Sequence, residues 1–311
     1  MGGDLAATFA AGGWQVHVVE TAQPARASLP ARLRAALKAL SPLDATVEAR
    51  AWSQVHLQKV QVHEALDSVP WQAIDLVIES IPERLLPKQR LFERLEGEVR
   101  ASTILATNSS SLLPSDVFAR VSRRSRTAAV HFMSPAHRVP IVEVVRTAPT
   151  SAPTIRRIDG WLRDLGKLPV HLNTEVPGML VNRLQHAMMR EALSMIDAGI
   201  TDIESIDLAV RFGFGFRYLA AGPLRQRDMN GLIIHWESAR QLYPTLSNAK
   251  RPAKLFDRLI AAGHVGARAG RGFHRWDADS TPAAIARYDR LIAAALALLE
   301  PERRALVRRR Q

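Results

Sequence analysis

Gly2-Gly-Asp-Leu-Ala-Ala-Thr-Phe-Ala-Ala-Gly-Gly-Trp-Gln-Val-His-Val-Val-Glu20 opens the chain, and the fold follows from how it is read. Leu5, Ala6, Phe9 and Ala10 recur at helical spacing, and Gly12-Gly13 would end such a helix. Val16-His-Val-Val-Glu20 then reads as a short buried strand that closes on an acid. Helix, glycine turn, strand and terminal acid make the second half of a βαβ unit. The first half, a strand running into two earlier glycines, is not in the sequence before Met1.

In a dinucleotide-binding unit of this kind the terminal acid accepts from the ribose hydroxyls and disfavours a 2′-phosphate. Glu20 therefore points to NAD over NADP, and Gly2 takes the place of the third glycine in the G-x-G-x-x-G turn. A lone acid after a strand is equally a solvated strand end. The first strand is central in a doubly wound sheet, so its two neighbours are expected to keep unpaired edges. The amides that cradle a pyrophosphate at the helix N-terminus would be lost with it. The expectation is a start assigned at an internal Met, with a truncated and impaired form as the alternative.

Outward from that segment, strands and helices alternate. A helix is expected over Pro30–Leu40 with the proline in its first turn, and a strand over Val55–Val62. Further strands are expected at Ile74–Glu79, Thr103–Thr107, Thr127–His131, Ile141–Val145 and Leu168–His171. Helices fall at Pro87–Glu98, at Pro114 and around Ile155, Ile158 and Leu162. This pattern implies a Rossmann-like α/β sheet, mostly parallel, with ligands beyond the carboxyl ends of its strands. Glu83, Ser110 and His131 all fall just past such ends. Helices follow at Gly178–Ala198, Ile203–Phe212, Pro223–Tyr243, Ala253–Ala262 and Pro282–Leu299, with the Met188-Met189 pair read as core filler. Two domains result: a sheet domain over 1–173 and an all-α domain over 174–311.

His131-Phe-Met-Ser-Pro135 and Ile141-Val-Glu143-Val-Val145 bring an imidazole and a carboxylate onto adjacent strand ends. A carboxylate accepting from one ring nitrogen fixes the tautomer, leaves the other nitrogen as a base, and stabilises the imidazolium. The same residues also fit a structural histidine capped by a carboxylate.

Composition narrows the classes. The 311 residues are 47% hydrophobic and 23% charged, a globular balance. No cysteine is present, which excludes disulfides, a thiolate nucleophile and Cys-based metal sites. No apolar run reaches membrane-spanning length, no signal segment opens the chain, and a cytoplasmic protein is expected. The net charge of +12 comes largely from scattered arginines, with runs at Arg123-Arg124, Arg303-Arg304 and Arg308-Arg309-Arg310. Aromatics do not interleave with those runs, which argues against nucleic acid.

With these residues in hand, the chain resembles the NAD-dependent 3-hydroxyacyl-CoA dehydrogenase family from Met1 to about Trp276. Met1-Gly2 resembles the end of its G-x-G-x-M-G loop, and Glu79-Ser-Ile-Pro-Glu83 with Lys88 its E-x-x-x-E-x-x-x-x-K element. Asn108-Ser-Ser-Ser-Leu112 is similar to N-T-S-S-L, His131–Pro135 to H-F-F-N-P, and Pro177-Gly178 through Asn182-Arg183-Leu184 to P-G-F-x-x-N-R-L. Gly266 through Gly272-Phe273 is similar to G-x-K-T-G-x-G-F-Y. The resemblance implies a Rossmann-like domain with a helical C-terminal domain that forms a homodimer. It implies His131 as base, Glu143 as its partner, Ser110 and Asn182 as substrate contacts, and Gly2, Glu20, Glu83, Lys88 and Arg268 on the NAD side.

The implied activity is oxidation of the 3-hydroxyl of a 3-hydroxyacyl-CoA. Ser134 replaces the family asparagine, Arg268-Ala269 replaces Lys-Thr, and the family's CoA-holding serine and lysine have no counterpart after Glu20. Arg26, Arg32, Arg34 and Lys38 fit either anionic CoA phosphates or a solvated basic face. A related branch, lambda-crystallin and L-gulonate 3-dehydrogenase, is similar at Ser109–Ser115, Thr150–Thr154, Asn182–Gln185 and Gly213–Tyr218. That similarity implies a free 3-hydroxy acid as the alternative substrate, with Arg217 gripping its carboxylate. A non-catalytic binding module is the third reading.

Overall fold

The structure, a computed structural model, describes residues 1–41 and 47–308; Arg309 and Arg310 of the tail run lie outside them. Helix α1 (Gly2–Ala11) ends at Gly12, where a Cβ would fall 2.2 Å from Leu165 Cδ2. Gly13, at φ +92°, then turns the chain into β1 (Val16–Val19). Helix α2 (Gln23–Leu40) begins earlier than expected. Pro24, not Pro30, takes its first turn, and Pro30 sits inside the helix. Burial of Leu29, Leu33 and Leu37 against Ala6 and Ala7 of α1 outweighs the hydrogen bond that Pro30 removes. The strand expected at Val55–Val62 is instead the end of α3 (Val47–Leu57) followed by β2 (Val60–His63), because Trp52 and Leu57 pack with the same α1–α2 cluster.

The remaining elements of the sheet unit are β3 (Leu76–Glu79), α4 (Leu85–Glu98), β4 (Ile104–Thr107), α5 (Pro114–Val117), β5 (Thr127–Phe132), β6 (Ile141–Val145), α6 (Ala152–Asp164) and β7 (Leu168–Leu172). Strands β1 and β2 pair in parallel as one sheet, and β3-β4-β5-β6-β7 form another. All pairings in the larger sheet are parallel except β5 with β6. Among the described residues β1 thus pairs with β2 alone and β3 with β4 alone. Helix α1 joins the two sheets. Its Leu5 and Phe9 pack on Ile104, Ala106, Ala128 and Val130, while Ala6 and Ala7 pack on α2.

Side chains alternate across the larger sheet with period two. Ile104, Ala106, Ala128, Val130, Phe132, Val142 and Val144 share one core with α1 and with Ile158 and Leu162 of α6. Leu105 belongs to the other face, with Phe92 and Leu95 of α4 and Phe118. His131 and Glu143 alternate with residues of the α1 core, so the pleat turns them to the opposite face, where Ala129 and Val145 pack on Met179.

Helix α7 (Val181–Asp197) leads out of this unit. It is followed by α8 (Ile203–Leu208), α9 (Pro223–Asn230), α10 (Leu232–Leu242), α11 (Lys254–Ala261) and α12 (Ser280–Arg308). Beyond Leu208 the expected helix widens into π turns over Ala209–Gly215, where a Cβ on Gly215 would meet Val210 O at 2.5 Å. Gly231, at φ +90°, splits the expected 223–243 helix into α9 and α10. The chain divides into two compact units after Asn182, rather than before Pro177, and the segment from Glu302 returns to the first unit. In the second unit Ala192 and Leu193 are the buried hydrophobics among the described residues, and Met188 is 38% exposed rather than core. No helix among the described residues is long and apolar enough to cross a membrane.

Candidate active site

The antiparallel pairing of β5 with β6 sets His131 directly opposite Glu143. Cross-strand partners of this kind have neighbouring Cβ atoms, and His131 Nδ1 lies 2.7 Å from Glu143 Oε2. Both side chains are buried, Glu143 completely. The second carboxylate oxygen, Oε1, accepts from the Leu180 and Val181 amides, each at 2.8 Å, where α7 begins. Gly178 (φ +77°) and Met179 (φ +50°) set up that approach, and Met179 is locked against Ala129 and Val145. A left-handed methionine is uncommon, and here packing over-determines it. Burial alone would raise the Glu143 pKa. The bonds from His131, Val181 and Leu180 outweigh it and hold the carboxyl below its ordinary range.

A second constellation surrounds the ends of β3 and β4. Glu79, buried at the last position of β3, accepts from Lys88 Nζ at 2.7 Å, from the Ile81 amide at 2.7 Å and from Thr107 Oγ1 at 2.7 Å. The Lys88 ammonium, 1% exposed, also reaches Glu83 Oε2 at 3.1 Å and Ile81 O at 3.2 Å. Glu83 Oε1 takes the Ser110 and Ser111 amides (3.2 and 3.0 Å), the Ser111 hydroxyl (2.9 Å) and the Ser109 hydroxyl. Partial burial opposes ionisation of Glu83, but the bonds from Ser109, Ser111 and Lys88 bring its pKa down to about 2. The anion thus closes the 109–112 turn like a peg. Of its three serines, Ser110 is the one whose hydroxyl bonds nothing among the described residues. Asn108 Oδ1 accepts from the Phe132 amide at 2.8 Å, tying this turn to the strand of His131.

Of the residues expected in the site, His131 and Glu143 are joined directly. Asn182 follows Val181, and its carboxamide has no partner among the described residues. Glu83, Lys88 and Ser110 form the second constellation. Glu20 ends β1, where its carboxylate accepts from the Ala22 amide at 2.9 Å. Arg217 and Arg268 belong to the second unit, both exposed and with no side-chain partner among the described residues. Arg26 of the basic helix pairs with Glu64 at 3.1 Å.

The sequence names Glu79 and Asn108 within their motifs without giving either a role, and it gives no sign of the amides of Leu180 and Val181. Glu79 heads the motif that supplied Glu83 and Lys88, so its signal was present. The amides carry none.

A strand-end imidazole oriented by a buried carboxylate, on a mostly parallel sheet flanked by helices, is an arrangement suited to a general base with its orienter. Residues 1–176 match the model of the 3-hydroxyacyl-CoA dehydrogenase NAD binding domain, and residues 178–276 that of its C-terminal domain. The chain belongs to the 3-hydroxyacyl-CoA dehydrogenase family, and its cofactor is NAD. It is 29% identical to 5-formyl-3-hydroxy-2-methylpyridine 4-carboxylate 5-dehydrogenase of Mesorhizobium japonicum, over 96% of this chain and 95% of that one. The solved structure of an enzyme of that name, described as an NAD+-dependent dismutase, superposes with a TM-score of 0.86 over the same shares. Probable 3-hydroxybutyryl-CoA dehydrogenase of Bacillus subtilis is also 29% identical, over 89% of this chain and 94% of that protein. The structure of (S)-3-hydroxybutyryl-CoA dehydrogenase from Ralstonia eutropha is 29% identical too, with a TM-score of 0.71, covering 89% and 95%.

Several residues suit the cofactor. A Cβ on Gly2, in the first turn of α1, would meet nothing within 4 Å, which leaves room beside amides that favour an anion. Ser80 Oγ, just past the end of β3, is buried with no partner among the described residues, an orphan that a ligand hydroxyl would satisfy.

Proposed function

We propose that this chain oxidises a hydroxyl on a free carboxylic acid, with His131 as the general base. The His131–Glu143 pair carries the reaction. Glu143 accepts the Nδ1 proton, which leaves Nε2 as the basic nitrogen, and the carboxylate supports the imidazolium once the substrate proton arrives. As the O–H proton passes to Nε2, the C–H hydride leaves the same carbon and a carbonyl forms. NAD, when bound, would supply the hydride acceptor, and Glu20, Gly2 and the Ser80 hydroxyl would hold it. The Ser110 hydroxyl and the Asn182 carboxamide, both without partners among the described residues, orient the reacting oxygen or a neighbouring carbonyl. Glu83 and Lys88 act indirectly, by fixing the turn that presents Ser110.

The sequence reading put an acyl-CoA first. Likeness over nearly the whole chain to an enzyme whose name describes a free carboxylate moves the weight to the free acid, and Arg217, exposed and with no side-chain partner among the described residues, suits its charge. The acyl-CoA reading keeps the support of the two hydroxybutyryl-CoA relatives. NADH absorbance with 3-hydroxybutyryl-CoA, free 3-hydroxybutyrate, gulonate and a pyridine carboxylate bearing an aldehyde tests both. Turnover confined to the thioester overturns the free-acid reading.

We infer further that two copies pair through the helices of the second unit. Leu224, Met229, Ile233 and Trp236 are each at least 60% exposed. Apolar surface of that density is characteristically covered by a partner.

A further inference from the structure

One buried ion takes no part in the chemistry above. Lys167, 4% exposed, has no carboxylate within ion-pair distance among the described residues. Its ammonium donates instead to Ala136 O at 2.7 Å and Val139 O at 2.9 Å. Both carbonyls belong to the loop that leaves β5 after His131 and enters β6 before Glu143. The root of the side chain is equally fixed. The Lys167 amide donates to Leu162 O at the end of α6, and Leu168, the first residue of β7, donates to Pro140 O. Gly166, at φ +70°, makes the turn between them, with the Arg303 guanidinium against it.

A buried ammonium is costly, whereas a neutral amide would satisfy two carbonyls without that cost. Resting on the dyad reading above, we propose that Lys167 is a positioning residue: its charge clamps the loop joining the two dyad strands and so holds His131 and Glu143 in their working register. The same loop carries Ser134 and His137, whose Nδ1 lies 3.7 Å from Asp4 Oδ1 of α1.

Burial, reinforced by Arg303, brings the Lys167 pKa down to about 8. The clamp is therefore at full strength well below that value and weakens as pH rises through it, because the neutral amine keeps two N–H donors but loses the charge that strengthens both bonds. The other charged or titratable groups on the elements around it are Arg156, Arg157, Asp159, Arg163 and Asp164 of α6, His171 of β7, His137 and Arg138 of the loop, and Asp4 of α1.

The test is kcat against pH for the whole enzyme and two variants. The parent kcat is expected to fall above about pH 8 with KM little changed, by no more than the roughly 10²-fold that a ~1 Å misplacement of a reacting group costs. Lys167→Arg, charged at every pH, is expected to push that alkaline limb upward. Lys167→Ala is expected to lose kcat and to regain it saturably with propylammonium, but not with tetramethylammonium at equal ionic strength. A parent kcat that stays flat from neutral pH into the alkaline range overturns the proposal even if neither variant folds. So does an alkaline limb that Lys167→Arg leaves in place. A His131→Ala enzyme that still turns over sinks the dyad reading instead, so the two failures are distinguishable.

Discussion

Replacing Glu143 by glutamine changes one oxygen to an amide nitrogen at the centre of the site. In the parent, Oε1 accepts two amides from the start of α7 and Oε2 accepts from His131. The new side chain has one acceptor oxygen and one NH2 donor, so it can serve only one of these two needs. Turning its NH2 toward Leu180 and Val181 opposes donor to donor twice, at about 1–3 kcal/mol for each unsatisfied buried group. The favoured rotamer keeps the oxygen on those two amides and presents NH2 to His131 Nδ1. The imidazole must then accept at Nδ1 and carry its proton on Nε2, where the base should be.

Loss of the charge-assisted bond to the imidazolium is worth about 1.5–3 kcal/mol, or roughly ten- to a hundredfold in rate. The wrong tautomer brings the total to about 10³–10⁴-fold in kcat. Steady-state kcat and KM from NADH absorbance measure the loss, and histidine ring 15N shifts report the tautomer. A kcat within tenfold of the parent, or a His131 still protonated on Nδ1, would refute the reasoning.

The same carboxylate gives a stability signature. Its folded pKa lies below the unfolded value, so its contribution is complete above about pH 5 and is lost as pH falls through the folded pKa. Urea midpoints of the parent should therefore drop more steeply in acid than those of Glu143→Gln, and parallel profiles would contradict this. Lys88→Met leaves Glu79 buried without its cation and should destabilise by about 3–5 kcal/mol, read as a lower urea midpoint. Glu20→Ser should weaken NAD binding and narrow its preference over NADP, measured by quenching of intrinsic fluorescence. Ile233→Glu should yield monomers by light scattering, whereas an unchanged mass would remove the proposed dimer face.

Much of this was legible from the chain, for physical reasons that differ by element. The β4, β5 and β6 strands were readable because each is a short apolar run bounded by turn residues. His131 and Glu143 were readable because strand pairing converts sequence position into contact. The α2 helix was misplaced because Pro30 looks like a start signal and only the packing of Leu29 and Leu33 on α1 shows otherwise. The strand expected over Val55–Val62 was misplaced in the same way, since period alone does not separate a short helix end from a strand. The amides that hold Glu143 were invisible, because every residue has one and only the left-handed turn at Gly178-Met179 aims these two. Lys167 was passed over because no sequence pattern marks a cation whose partners are carbonyls.

The role of His131 is tested most directly by single-turnover hydride transfer in His131→Ala, with NAD affinity measured alongside on the same protein. The expected result is a rate lower by at least about 10²-fold with NAD affinity unchanged. Hydride transfer near the parent rate would contradict it.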